Sequence, residues 1–286
     1  MSKDYKAAVL GANSFIGKAL CDELNNRRYN VLEVTRDQLD ICDYDSEIHM
    51  DIIRKIASSE YVYIASWAGT KDLYNEQINK SSCEGLIRIL GDVLKTGKYK
   101  AIIQLGSQAE YGIHTGEVVD EKTECKPISA YGKYKLEFYQ KAKEMCEKTN
   151  IRLIEYRLHS VYGKNRVGGV LQNVITCLKT TKECAMKTDC SQLFDYVYVD
   201  DCIDALLTAI DCELYAGIYN IGSGRIYHLY DYIEMVCEAL SGEAFMKYGN
   251  YKDTKSPDFA YDISKLRHCT GWEPQIPFEK GIHEIL

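Results

Sequence analysis

No apolar run in the 286-residue sequence approaches the roughly 18 residues that a membrane span requires. The N-terminus carries no apolar segment of the kind that directs export. A cytoplasmic location with no membrane partner is the expectation. Zinc spacings are missing as well. The twelve cysteines are scattered from Cys21 to Cys269 without one Cys-x-x-Cys pair. They read as reduced thiols acting as small apolar residues, and no metal is expected. Positive charge is in short supply: 35 Lys and Arg stand against 42 Asp and Glu, a net charge of -7. That balance argues against nucleic acid or an anionic membrane as the main partner. It leaves room for an anionic small molecule, because one pocket can be locally positive. No repeat, low-complexity segment or flexible linker is visible. What remains, 46% hydrophobic and 27% charged residues, is the composition of a globular chain with a sizeable core. Twenty-three tyrosines against four prolines is unusual, and composition offers no physical account of it.

The first half alternates short apolar runs with longer amphipathic ones. Residues 6–10 read as a strand, 15–26 as a helix and 29–35 as a strand again. Residues 61–65, 101–105 and 151–156 are further strands with helical patterns between them. Alternation at this spacing implies right-handed crossovers and an α/β fold with a doubly wound parallel sheet. Beyond Gly163 the rhythm loosens into a helix over 170–178, an aromatic strand over 194–199, and helices over 201–211 and 229–240. That stretch reads as a smaller C-terminal lobe.

The opening "AAVLGANSFIGKAL" runs a strand into Gly11 and places Gly17 inside the next helix. Gly11 allows a tight turn, backbone N–H groups at the helix start face a pyrophosphate, and Gly17 lets helix and strand approach. The middle position, where glycine admits phosphate to the backbone, is Ser14. Its hydroxyl can cap the helix or bond phosphate. A strand–helix turn with no ligand fits the same pattern. The second strand ends in Thr35-Arg36, where a reader of the ribose 2′-OH would be Asp or Glu. Arg36 suits a 2′-phosphate and so favours NADP over NAD, unless it is a plain solvated charge.

"LGSQAEYG" (105–112) puts Ser107 at a strand end, the place where open α/β sheets bind ligands. Tyr131-x-x-x-Lys135 follows 24 residues after Ser107. The i,i+4 spacing stacks both side chains on one helix face. An ammonium beside a phenol lowers the phenol pKa from about 10, which suits Tyr131 to proton transfer.

Glycine loop, Ser107 and Tyr131-x-x-x-Lys135, in that order, resemble the extended short-chain dehydrogenase/reductases. The resemblance is to the branch that epimerises, dehydrates or reduces nucleotide sugars. "YRLHSVYG" (156–163), "DYVYVDD" (195–201), "YNIGSG" (219–224) and "DISKLRHCTGWEP" (262–274) carry it over essentially the whole chain. It implies a Rossmann-type dinucleotide-binding domain over 1–163 and a mainly substrate-binding lobe over 164–286, with some segments returning to the first. Ser107 would hydrogen-bond the sugar's reacting oxygen, Tyr131 would be the acid/base, and Lys135 would hold the nicotinamide ribose and tune Tyr131. Cofactor contacts are implied at Gly11, Asn13, Ser14, Phe15, Ile16 and Gly17, and at Thr35, Arg36, Asp40 and Ile41. Further along they are implied at Ala65, Ser66, Trp67, Leu105, Tyr131, Lys135, Leu158 and His159. Asp40 matches the adenine contact. A homodimer through helices near 80–95 and 131–148 is also implied.

The departures bear on the reaction. The family's dehydratases carry Asp-Glu after the catalytic Ser or Thr, and here Gln108 and Ala109 stand there. Its 3,5-epimerising reductases carry a Cys where Ala109 is. What remains is chemistry at one carbon: reduction of a 4-keto-6-deoxysugar, or 4-epimerisation with tightly held NAD. A non-catalytic NADP-sensing protein is a third reading. Phe194 replaces the usual diphosphate-binding Arg, leaving Arg166 and Arg225 as substrate contacts or surface charges; Gln108 is a further substrate contact. His159 can meet the nicotinamide carboxamide or be a satisfied buried histidine. Glu110 reads as a solvated loop charge.

Overall fold

The computed structural model describes residues 4–240, 244–254 and 258–286. Strand β1 (Tyr5–Leu10) leads into α1 (Phe15–Asn26), whose N-cap is Ser14. Then follow β2 (Val31–Val34), α2 (Ser46–Ala57), β3 (Ser59–Ile64), α3 (Glu76–Thr96) and β4 (Ala101–Ser107). Asp45 and Asn75 cap α2 and α3 through their side-chain oxygens, as short polar residues do where the first N–H groups lack partners. Short β5 (Glu117–Val119) precedes α4 (Ala130–Thr149), β6 (Arg152–Leu158) and β7 (Ser160–Tyr162). The remainder holds α5 (Val170–Thr181), β8 (Glu183–Ala185), β9 (Leu193–Phe194), β10 (Tyr196–Tyr198), α6 (Val199–Asp211) and β11 (Gly217–Ile221). It ends with β12 (Tyr227–His228), α7 (Leu229–Ala239), β13 (Phe245–Lys247), β14 (Phe259–Tyr261), α8 (Ser264–Thr270) and α9 (Phe278–His283).

The chain divides into two compact units. The first comprises Met1–Gly112, Glu124–Leu158 and Ile203–Tyr219; the second comprises Ile113–Thr123, His159–Cys202 and Asn220–Leu286. Six strands form the main sheet in the order β11-β6-β4-β3-β1-β2, and the pairings of β1 with β2 and β3, β3 with β4, and β4 with β6 are parallel. The order reverses between β1 and β3. This is the point at which doubly wound sheets open a crevice beyond their carboxyl ends. The central strands are apolar almost throughout: Ala7 to Leu10, Tyr61 to Ile64 and Ala101 to Ile103 are all buried. In the second unit, two-stranded pairs β5–β14, β7–β10, β8–β13 and β9–β12 carry α5, α7 and α9.

The helix over 15–26 has the bounds its periodicity predicts. The strand expected over 194–199 is instead broken into β9 and β10, and Val199 opens α6. The break falls at Asp195, whose buried carboxylate accepts from the N–H groups of Ser223 (2.6 Å) and Gly224 (3.0 Å). All twelve cysteines are thiols. Burial pushes Cys21, Cys83 and Cys146 up to about 12, so these act as small apolar groups. No helix among the described residues is long and apolar enough to cross a membrane.

Helix α3 presses on the loop after β2 at one point. A Cβ on Gly85 would lie 1.6 Å from the Ile41 carbonyl oxygen, a backbone atom that cannot swing aside. Alanine normally gains roughly 1 kcal/mol over glycine inside a helix. Here the overlap, at about 1–3 kcal/mol or more, wins. Gly85→Ala is expected to lower the thermal midpoint by several degrees in calorimetry, and a raised midpoint would show that the loop yields.

Candidate active site

The turn after β1 is built from backbone approaching backbone. Gly11 adopts φ +85°, and a Cβ there would sit 2.8 Å from the Ser66 nitrogen. A Cβ on Gly17 would sit 2.2 Å from the Gly11 carbonyl oxygen, so the first turn of α1 rests on the loop. Ser14 Oγ accepts from the Gly17 N–H at 3.0 Å and so caps the helix. Asn13 is exposed, and Phe15 and Ile16 are half-buried on the same turn. Ala65, Ser66 and Trp67 follow β3, and the buried Ser66 Oγ has no hydrogen-bond partner among the described residues. A glycine cradle, a helix start and an orphaned hydroxyl together fit the phosphates of a dinucleotide.

Beyond β2, Thr35 donates its N–H to Gln38, and Arg36 Nε meets Asp40 Oδ2 at 2.8 Å. The Arg36 side chain remains 74% exposed, so its guanidinium is accessible to a ligand. Burial works against the Asp40 charge, but the Cys42 N–H and Arg36 hold its carboxyl below the usual range. Ile41 is buried beside this pair.

Ser107 closes β4 and caps the single turn Gln108–Glu110. Its Oγ accepts from the Ala109 N–H at 3.2 Å, and its N–H donates to Glu110 Oε1 at 2.8 Å. Helix α4 starts against this turn: a Cβ on Gly132 would lie 2.1 Å from the Ala109 carbonyl oxygen. The structure thus brings Tyr131, next to Gly132, to the Ser107 loop. Lys135 is 5% exposed; its Nζ donates to the Leu105 carbonyl at 2.6 Å, lies 4.6 Å from the Trp67 ring centroid and 5.8 Å from that of Tyr131. The Trp67 and Tyr131 rings meet edge to face, 6.0 Å apart. Burial lowers Lys135 to about 8, opposed by Glu110 and then Glu155. The ammonium therefore predominates at neutral pH. Gln108 Oε1 is buried without a hydrogen-bond partner among the described residues, a group that fits a ligand donor.

Glu110 is a correction to the sequence reading: its side chain is fully buried. It meets Arg157 of β6 at 3.2 Å, and Arg157 lies 3.4 Å from Glu155. Gln104 Nε2 donates to Glu155 Oε1 at 3.2 Å. In the sequence, charged residues two apart within a central parallel strand ("IEYRL") were the available signal, because such strands are otherwise apolar.

In the first unit, Leu158 ends β6 and is buried. In the second unit His159 is 7% exposed, ringed by Phe194, Phe259 and Tyr261, and its Nδ1 accepts from the Ser160 N–H at 2.9 Å. Arg166 and Arg225 are exposed, and Phe194 stacks on Tyr196. The second unit also contains a cavity of about 350 Å³, lined by Val170, Met186, Lys187, Gln192, Phe194 and Leu229 among others. Gln192, which the sequence reading passed over inside "SQLFDYVYVDD", is 2% exposed there, and its Oε1 has no hydrogen-bond partner among the described residues.

This glycine turn at the sheet's reversal point, with a Ser–Tyr–Lys set beside it, defines a dinucleotide-dependent enzyme class. Residues 7–222 match the model of the NAD dependent epimerase/dehydratase family, and the chain belongs to that family of enzymes. It is similar to a dTDP-L-rhamnose 4-epimerase of Burkholderia thailandensis, 27% identical over 58% of this chain and 47% of that enzyme, about half its length. It is also similar to a dTDP-6-deoxy-L-talose 4-dehydrogenase (NAD(P)(+)) of Kitasatospora kifunensis, 22% identical over 98% of this chain and 94% of that one. In fold it resembles a UDP-glucuronic acid 4-epimerase of Bacillus cereus, solved with UDP-4-deoxy-4-fluoro-glucuronic acid and NAD. The TM-score is 0.83 at 21% identity, covering 97% of this chain and 96% of the other.

Burial drives the His159 pKa down to about 3, so the ring is neutral at neutral pH. Its ring resonances in a histidine-labelled NMR titration are expected to stay flat from pH 5 to 9, and a midpoint near 6.5 would show an exposed imidazole.

Proposed function

We propose that this enzyme reduces a nucleotide-linked 4-keto-6-deoxyhexose at C4, using NADPH. The observation that carries the reading is the set at the end of β4. An ammonium, Lys135, sits beside Tyr131, a hydroxyl, Ser107, lies on the abutting turn, and Gln108 and Ala109 stand where elimination would need an acid pair. When bound, the dinucleotide supplies the hydride to the carbonyl carbon. Tyr131 passes its phenolic proton to the carbonyl oxygen, and Ser107 donates a hydrogen bond to that oxygen as charge gathers on it. The phenolate left behind is stabilised by Lys135 and is reprotonated from solvent. Gly11, Ser66 and the start of α1 would hold the pyrophosphate, and the exposed Arg36 would meet a 2′-phosphate, which supports NADP. The 4-dehydrogenase relative supports oxidation–reduction at C4 of a deoxysugar. The cavity with the orphaned Gln192 carbonyl would take the nucleotide base, and the exposed Arg166 and Arg225 would serve the diphosphate.

A 4-epimerase of the same constellation is the second reading, favoured by the epimerase relative. It needs no residue beyond Ser107, Tyr131 and Lys135.

Purified protein mixed with NADPH and a panel of 4-keto nucleotide sugars is expected to consume the cofactor with at least one sugar. Tyr131→Phe should lower that rate by about 10²–10⁴-fold. Turnover of a 4-hydroxy sugar without added cofactor, with NAD retained through purification, would replace reduction by epimerisation. Arg36→Ala should raise KM for NADPH several-fold and leave KM for NADH nearly unchanged. Equal effects on both would remove the 2′-phosphate contact.

A further inference from the structure

One indole touches both members of the proton-transfer pair. The Trp67 ring centroid lies 4.6 Å from Lys135 Nζ, and the ring meets that of Tyr131 edge to face at 6.0 Å. An ammonium over an aromatic face is attracted by the ring quadrupole, and the attraction grows where water is excluded. Lys135 is 5% exposed, so the Trp67 face and the Leu105 carbonyl at 2.6 Å receive a side chain that has left water.

The ring is itself held. Trp67 Nε1 donates to Asn79 Oδ1 at 2.8 Å, and Asn79 of α3 is fully buried. Asn79 Nδ2 donates to the carbonyls of Asp72 at 3.2 Å and Asn75 at 2.8 Å. This amide therefore grips the loop between β3 and α3 near its start and at its end. Gly69 makes the room, because a Cβ there would lie 2.0 Å from Asn79 Oδ1. One turn along α3, Ser82 Oγ accepts from the Ala68 N–H at 3.2 Å. The same loop reaches α4 by a second route. The Leu73 carbonyl accepts from the Tyr131 N–H at 2.9 Å, a first-turn group with no partner inside the helix. Among apolar side chains, tryptophan alone joins a large aromatic face to a ring N–H donor.

We propose that Trp67 is a positioning residue for Tyr131 and Lys135: its ring face seats the ammonium, its N–H bond to Asn79 fixes the ring, and the loop between β3 and α3 thereby clamps the start of α4.

The inference rests on the proposed hydride chemistry only for what the pair does there, so its first test uses no sugar. In lysine-labelled protein, the ring current of Trp67 should displace one side-chain methylene NMR signal upfield. That signal should show nuclear Overhauser contacts to indole protons, be absent from Lys135→Met, and return to the ordinary lysine position in Trp67→Leu. No displaced lysine in the wild type, or one unmoved in Trp67→Leu, overturns the proposal. Should Trp67→Leu not fold, the wild-type indole contacts decide alone. With a reacting sugar, kcat should fall about tenfold in Trp67→Leu and by less in Trp67→Phe, which keeps a weaker face, while KM for the sugar stays. A lowered thermal midpoint with kcat unchanged would mark a purely structural residue, and a raised KM alone would mark a substrate contact; either overturns the clamp. The expected order holds for reduction and for epimerisation, since both use Tyr131 and Lys135. If no sugar reacts in either way, the reductase reading falls while the lysine spectrum still reports on Trp67.

Discussion

Everything in the first unit depends on how closely two backbone turns can lie beyond the sheet where its strand order reverses. The Gly11 α-carbon faces the peptide between Ala65 and Ser66 with no room for a side chain, and Gly17 lies against the Gly11 carbonyl in turn. These contacts set the width of the crevice and aim the start of α1 into it. The Ser14 cap holds that helix start in place, and Ser66 faces the same turn with its hydroxyl unspent. A dinucleotide needs such a floor of N–H groups more than it needs any one side chain.

A second close approach orders the reacting groups. Gly132 brings the first turn of α4 onto the Ala109 carbonyl, so Tyr131 and Ser107 share one small region although they lie on different elements. Lys135, one turn further along, is drawn into the interior by the Leu105 carbonyl and by Trp67. An ammonium at that depth is costly, and the carboxylate of Glu110 offsets part of the cost. Chemistry at the surface of the sheet is thereby tied to charges within it.

Much of this was legible in the residues, for physical reasons that differ from element to element. Helix α1 keeps its predicted bounds because a capping serine and a clean apolar stripe mark both its face and its start. The strand over 194–199 was misjudged because a run of aromatics says nothing of Asp195, whose carboxylate turns inward to hold two N–H groups. Glu110 was misjudged for a related reason. A glutamate between Ala109 and Tyr111 looks the same whether water or Arg157 surrounds it. Only the register of β4 against β6, which no local pattern encodes, shows Gln104, Gly106, Glu155 and Arg157 meeting it. Gln192 escaped notice because an amide in a polar-aromatic segment has no periodicity to betray its burial.

The path of the chain has a consequence for how such an enzyme can be varied. The polypeptide passes from one unit to the other after residues 112, 123, 158, 202 and 219. Most of α6 and the Gly217–Tyr219 part of β11 belong with the first unit, although they follow much of the second in sequence. The second unit is therefore not a cassette. It cannot be exchanged by a single crossover between genes without cutting β11 out of the main sheet. New specificity in this architecture has to accumulate within separate loops, in place, while the strands around them stay constant.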